Sequence, residues 1–323
     1  MSWTEIKPEI PAETAPHHGE MVSPFDEEAL YACMRCGFCI NSCPTQNLLQ
    51  VETASPRGRI GMMRAVHEGI LDLEEITPYL DSCLGCRSCE DVCPAGVPYG
   101  QLLEEARHAI TEFRPNPLPV RLAYEYVLGT PVGIQLSGLG LWFYQATGLQ
   151  KLTHGLKIVE KIGGKGLADM ERSMVKAPSP LKRWSRKRLN PAKGEAKYKV
   201  AYFAGCVSDI VFWETNQNAV KVLNHLGCDV EFPKNQGCCG AVHTHAGEVD
   251  MAKVQAKRNI EAFEAGGYEF IVNTAGGCGA ALKEYHHLLK DEPDWKERTE
   301  RFVTRCRDFS EIVDWLMSQE GAP

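Results

Sequence analysis

The chain has 323 residues, enough for two domains, and its 44% hydrophobic and 24% charged residues are an ordinary balance for a soluble globular protein. Its formal net charge of −7 argues against nucleic acid as the main partner. The first residues hold no basic region followed by an apolar run, so the 14 cysteines read as metal-binding thiols of a reducing cytoplasm rather than as secreted disulfides. Residues 1–26, rich in proline and acidic side chains, read as a mobile leader, and no lipidation motif stands at either end.

Two near-copies of one motif follow, fifty residues apart. The first holds Cys33, Cys36, Cys39 and Cys43 before Pro44; the second holds Cys83, Cys86, Cys89 and Cys93 before Pro94. Each is C-x2-C-x2-C-x3-C-P, the run that ligates paired [4Fe–4S] cubanes. Three closely spaced thiolates wrap three irons of one cube, and the fourth, turned away at the proline, reaches the other. One cluster is therefore assigned to Cys33, Cys36, Cys39 and Cys93, and the other to Cys83, Cys86, Cys89 and Cys43. The alternative, structural zinc, usually takes two C-x2–4-C pairs and four ligands per ion, which these runs do not match.

Between the motifs, Pro56 suits a helix start, and Ile60, Met62, Met63 and Val66 fit a helical face. A short helix is expected over 71–80 and another over 99–113, so residues 27–113 read as an α-helical ferredoxin domain. Arg57 and Arg59 either offset cluster charge or form a solvated helix start.

Residues 114–197 read as an amphipathic and basic connecting segment. No charge falls between Tyr126 and Gln150, but Pro131 and repeated glycines interrupt the stretch, so no membrane-spanning helix is expected. Leu139, Leu141, Trp142, Phe143 and Tyr144 suit a membrane interface or a partner subunit. Residues 151–200 hold fourteen Lys/Arg against four Asp/Glu, densest from Lys182 to Arg188. That points to peripheral contact with anionic lipid through 126–199, or to a solvated linker.

From 198 to 290 strands alternate with helices. Strands are expected over 199–204, 228–232 and 270–274, with helices over 209–226 and 248–265 and a third running to Leu289, which implies a small parallel sheet. Cys206, Cys238, Cys239 and Cys278 fall in glycine-rich loops after the strands, where α/β sheets bind ligands, and are candidate additional iron–sulfur ligands of a third centre. Cys228, in a strand, and Cys306, in a charged stretch read as helical, are expected to be packing thiols. His243 and His245 are read as surface or loop-packing residues, and His286 and His287 as helix-end residues. No dinucleotide or Walker loop follows any strand.

With both C-P motifs, Ser-Pro-Arg-Gly-Arg-Ile (55–60) and the Gly-Cys-Cys-Gly-Ala-Val-His-Thr-His run (237–245), the chain resembles the glycolate oxidase iron–sulfur subunits. These belong to the heterodisulfide-reductase-related proteins that join a ferredoxin domain to cysteine-rich CCG domains. The fold class expected is thus mixed: an α-helical two-cluster ferredoxin domain plus an α/β CCG domain. The resemblance implies a non-catalytic electron-transfer subunit, taking electrons from a flavoprotein that oxidises a 2-hydroxy acid and passing them to a quinone or other respiratory acceptor, at the inner face of the cell membrane. Iron–sulfur subunits of lactate or glycerol-3-phosphate dehydrogenases are alternatives, as is a heterodisulfide-reductase-like subunit doing thiol–disulfide chemistry. Two departures stand out. The family motif ends C-x-x-C, whereas Cys278 is followed by Gly279, Ala280 and Ala281. Family members usually carry a second CCG repeat, to which residues 291–323 read as a helical lead-in, so a truncated chain or a partner-supplied second half is expected.

Overall fold

In the computed structural model, which describes residues 23–319, the chain divides into two units. Residues 1–22 of the expected leader lie outside the described residues. Of the described residues, the first unit holds 23–116 and 244–248, and the second holds 117–243 and 249–319.

The first unit is helical. Its helices are Glu27–Tyr31, Pro44–Leu49, Pro56–His67, Leu73–Asp81, Ser88–Asp91 and Tyr99–Phe113. Ser55 caps the third, its hydroxyl accepting from the Gly58 N–H at 2.9 Å, with Pro56 preset at the first helical position. Gly58 is dictated by space: a Cβ there would stand 2.0 Å from the Glu52 carbonyl oxygen. Ile60 and Met63 of this helix, Ile76 and Leu80 of the next, and Leu102, Leu103 and Ala106 of the last form one core. At helical spacing each helix gives that core one stripe.

The second unit begins with helices Leu118–Leu122, Pro131–Ala146, Leu149–Gly155, Ile158–Arg172 and Pro180–Trp184, with a π-helical turn over 123–128. The segment expected to connect the two halves is thus helical, and it is anchored within its unit. Gln255 Nε2 and Arg258 Nη1 donate to the Gly129 carbonyl at 2.9 and 2.6 Å, and Ile134 joins the core. Among the described residues no helix is long and apolar enough to cross a membrane.

Five strands follow: β1 (Leu189–Asn190), β2 (Tyr198–Tyr202), β3 (Cys228–Glu231), β4 (Phe270–Asn273) and β5 (Cys306–Asp308). They lie in the order β1-β3-β2-β4-β5. β2 pairs in parallel with β3 and β4, and β4 with β5, but β1 runs antiparallel to β3. The sheet is therefore mixed, which corrects the all-parallel expectation, because the short return at Leu189 uses the edge of β3. Alternation splits its side chains between two layers: Val200 and Tyr202 face helices 213–225 and 309–317, while Ala201 and Phe203 face helix 249–264.

Three further expectations change. The helix expected over 209–226 is two, Val207–Val211 and Trp213–His225, broken at Phe212. Cys306 opens β5 instead of lying in a helix, so 291–323 supplies a strand as well as helices. Its charged neighbours Arg307 and Asp308 hid the strand, and Asp308 also caps the following helix, Phe309–Met317, in a reciprocal box with Glu311. Cys278 sits in the first turn of helix Gly276–Lys283 and not in a loop.

Candidate iron–sulfur centres

The two cysteine runs fold as copies of each other. The residues two past the first cysteine, Arg35 and Gly85, have φ of +59° and +63°, and those four past it, Gly37 and Arg87, have +92° and +59°. Arginine rarely adopts this left-handed conformation, so its presence in both runs marks a loop wound tightly enough to turn successive thiols to one side.

Cys33, Cys36, Cys39 and Cys93, the set assigned to one cubane, line a single pocket that opens to solvent. Cys89 also reaches its wall, beside Pro56, Arg57, Ile60, Val97 and Tyr99. This is the thiol set that a cubane requires, drawn from both runs. Burial pushes the Cys39 thiol up.

Between the stretches that carry Cys43 and Cys83 of the second set lies Arg59, which is fully buried. Its guanidinium donates from Nε to the Tyr79 carbonyl (2.9 Å), from Nη1 to Thr45 Oγ1 (3.1 Å) and from Nη2 to Ser82 Oγ (2.9 Å). One side chain thereby ties the residue beside Cys83 to the residue two past Cys43, linking the runs as crossed ligation needs. Cys43 is buried, with Thr45 Oγ1 at 3.2 Å and the Ala54 carbonyl at 3.6 Å. Burial raises its pKa, but hydrogen bonds from Thr45 and from the Thr45 and Gln46 N–H groups, with the Arg59 charge, bring it below the ordinary thiol value. Cys89 is pushed up to about 12 by burial and then by the Glu90 charge. The Tyr99 hydroxyl, kept protonated by burial, donates to Cys83 Sγ at 3.4 Å, and Arg107 Nη2 donates to the Cys83 carbonyl at 2.8 Å. Cys86 is exposed. Among the described residues no three His, Cys, Asp or Glu side chains close on a point as around one metal ion. A cubane instead presents four separate irons, so its thiolates surround a cage.

In the second unit Cys206 follows β2, Cys238 and Cys239 follow β3, and Cys278 follows β4, all at the carboxyl edge of the sheet. The chain passes from β2 outward to β3 and then back across to β4, so the crevice lies where these connections diverge. Two of the four thiols touch: Cys206 Sγ lies 3.6 Å from Cys238 Sγ, with Cys239 next in the chain. Gly205, at φ +70°, lets the β2 loop pass Cys278 Sγ closely. The hydrogen bond to Cys238, with burial, pushes the Cys206 thiol far up, and Cys238 itself is raised to about 12. These thiols are of the donor type an iron–sulfur centre needs.

Asn259 and Tyr285 brace this loop, and the sequence did not single them out. Asn259 Nδ2 donates to the Cys238 carbonyl (2.8 Å) and its Oδ1 accepts from the Gly237 N–H (2.9 Å), while the Tyr285 hydroxyl donates to the Cys239 carbonyl (2.9 Å). The available signal was a polar residue on an apolar stripe: Asn259 shares the buried face of its helix with Ala252, Ala256, Ile260 and Phe263.

The remaining candidates separate. Cys228 and Cys306 are fully buried, and burial pushes each up to about 12, as suits packing thiols. His243 is fully buried with Nε2 3.1 Å from the Tyr124 carbonyl, a packing role, whereas His245 is partly exposed beside Glu104. In the basic cluster, Arg183 is buried and faces Gln135 and Asp209, Arg186 pairs with Asp209, and Arg188 pairs with Glu231. Lys182 and Lys187 are exposed.

Three family models match: 4Fe-4S dicluster domain over residues 29–97, Glycolate oxidase iron-sulfur subunit, linker region over 118–174, and Cysteine-rich domain over 200–283. The chain is 42% identical over 295 residues to the probable glycolate oxidase iron-sulfur subunit of Bacillus subtilis (strain 168), covering 89% of this chain and 66% of the relative. To the glycolate oxidase iron-sulfur subunit of Escherichia coli (strain K12) it is 31% identical over 293 residues, with the same coverage of 89% and 66%. Similarity to lactate utilization protein A of Exiguobacterium sp. is 39% but spans only 36% of this chain and 48% of that protein. No solved structure matches. The chain spans about two thirds of the length of its two glycolate oxidase relatives, and with three consecutive family models matched along it, it belongs to the family of glycolate oxidase iron-sulfur subunits.

Proposed function

We propose that the chain is the electron-transfer subunit of a 2-hydroxy-acid oxidase, with glycolate the first candidate substrate of the complex. The observation that carries this is the pair of duplicated cysteine loops, one lining an open cavity and the other tied across by Arg59, in a chain without a dinucleotide-binding loop. Clusters bound there would each take up and release one electron at a time. Cys33, Cys36, Cys39 and Cys93 would hold one, and Cys83, Cys86, Cys89 and Cys43 the other, with the protein supplying the charges and hydrogen bonds around the sulfurs. The hydride or carbanion chemistry of a hydroxy acid needs a flavin that this chain has no motif to bind, so a flavoprotein partner would supply electrons and a quinone or similar acceptor would take them. The site of work would be the cytoplasmic face of the membrane, reached through the exposed apolar and basic side chains of 126–199.

The test uses the purified, anaerobically loaded chain. It should not oxidise glycolate alone, but its visible absorbance should bleach when the flavoprotein and glycolate are added together. Oxidation of glycolate by this chain alone defeats the proposal. The short match to a lactate utilization protein favours lactate as the second substrate to try.

A further inference from the structure

The two cysteine sets do not sit in equivalent electrostatic surroundings. Arg57, which lines the cavity of the first set, is partly exposed and its charge is met by Glu52 at 2.7 Å. Solvent and that carboxylate screen it. Arg59, two residues on and so on the other side of the same helix, is fully buried, and among the described residues only neutral oxygens receive it: Tyr79, Thr45 and Ser82. It is one side chain away from the second set: Thr45 Oγ1, which it reaches at 3.1 Å, lies 3.2 Å from Cys43 Sγ. Glu90, the acid beside Cys89, is itself paired with Arg87 at 2.8 Å and accepts the Gly100 N–H at 2.6 Å, so most of its charge is answered locally. The Tyr99 hydroxyl adds a hydrogen bond to Cys83 Sγ.

We propose that Arg59 holds the potential of the cluster at Cys43, Cys83, Cys86 and Cys89 above that of the cluster at Cys33, Cys36, Cys39 and Cys93, so that an electron entering the unit comes to rest on the former. Reduction adds one negative charge to a centre already ringed by thiolates. A nearby fixed cation and a hydrogen bond to sulfur both favour that extra charge. Burial of Cys43 and Cys89 opposes it, because desolvation disfavours charge. The same burial removes the water that would screen Arg59, and a buried cation with no paired anion outweighs a desolvation that falls on two of the four ligands, Cys83 and Cys86 keeping some exposure. Arg59 is a positioning residue in this sense: it acts on the cluster without ligating it.

The inference rests on the two-cluster reading, and the two fail differently. Iron and acid-labile sulfide are counted first; a count other than about eight of each defeats the two-cluster reading. The loaded chain is then titrated potentiometrically with EPR detection. Cys86→Ser, at an exposed ligand, changes the spectrum of its own cluster and so assigns the signals. The signal so assigned should have the higher midpoint in the unaltered chain. Arg59→Gln should lower it by about 59 mV or more, a tenfold change in its reduced-to-oxidised ratio for a one-electron couple, while leaving the other signal in place. Arg59→Lys should keep most of the potential, and Tyr99→Phe should lower it by a smaller amount. A reversed order of the two signals overturns the proposal, as does an Arg59→Lys shift equal to that of Arg59→Gln, which would mark a packing role. If Arg59→Gln fails to take up iron, the order of the signals together with the Tyr99→Phe shift decides.

Discussion

The thiols of the two units are prepared in opposite ways. In the first unit they sit on wound loops with Cys36 and Cys86 exposed and with Cys33, Cys36, Cys39, Cys89 and Cys93 lining an open pocket. In the second, Cys206, Cys238 and Cys239 are buried, Cys206 touches Cys238, and side-chain bonds hold the loop backbone. Thiols of the first kind stay open on one side, while the loop carrying Cys238 and Cys239 is braced by Asn259 and Tyr285. Cysteine count alone would have treated the two as alike.

The sharpest way to break this contrast is to remove one thiol from each. Cys39→Ala should lower iron by about half, the content of one cubane, whereas Cys239→Ala should leave the iron count unchanged. A loss of iron from the Cys239 variant would erase the distinction and place a further centre at the sheet edge. The next largest effect is expected at Asn259. Replacing it with alanine leaves the Gly237 N–H and Cys238 carbonyl without their partner in a buried loop, a cost of about 1–3 kcal/mol. Thermal unfolding should register that loss, and alkylation of Cys238 and Cys239 should speed up with iron content unaffected. The smallest effect concerns the basic cluster. Lys182→Gln with Lys187→Gln should weaken sedimentation with anionic vesicles by up to about 1 kcal/mol per charge. Arg183 and Arg186 are excluded from that test because they hold Asp209, and their loss would strand a buried carboxylate. Unchanged sedimentation would count against lipid contact there.

What the sequence disclosed follows the range of the interactions involved. The C-P runs were legible because their spacing is local, and three strands because Val200 and Ile271 lie in short apolar stretches and Val230 in an apolar–polar alternation, each near turn signals. β1 and β5 were not, since one is two residues long and the other reads Cys-Arg-Asp; their register comes from strands far away in the chain. Cys278 was placed in a loop because Gly276 and Gly277 are poor helix formers, yet the helix begins there. Arg57 and Arg59 look interchangeable in Ser-Pro-Arg-Gly-Arg-Ile. Only the fold separates them, since two positions on a helix turn one toward Glu52 and the other into the core. The Asn259–Tyr285 bracing joins residues from separate helices and could not be read from either alone.

The placement of the second unit's cysteines at the ends of three different strands also fixes when they can meet. Cys33, Cys36 and Cys39 are brought together by closing a loop of a few residues, an event that needs no finished tertiary structure. Cys206 and Cys278 meet only after β2, β3 and β4 have paired in parallel through two helical crossovers, among the slowest steps a chain of this kind takes. During synthesis the thiols of the first loop can come together while Cys206 and Cys278 are still apart, so the order of assembly runs along the chain.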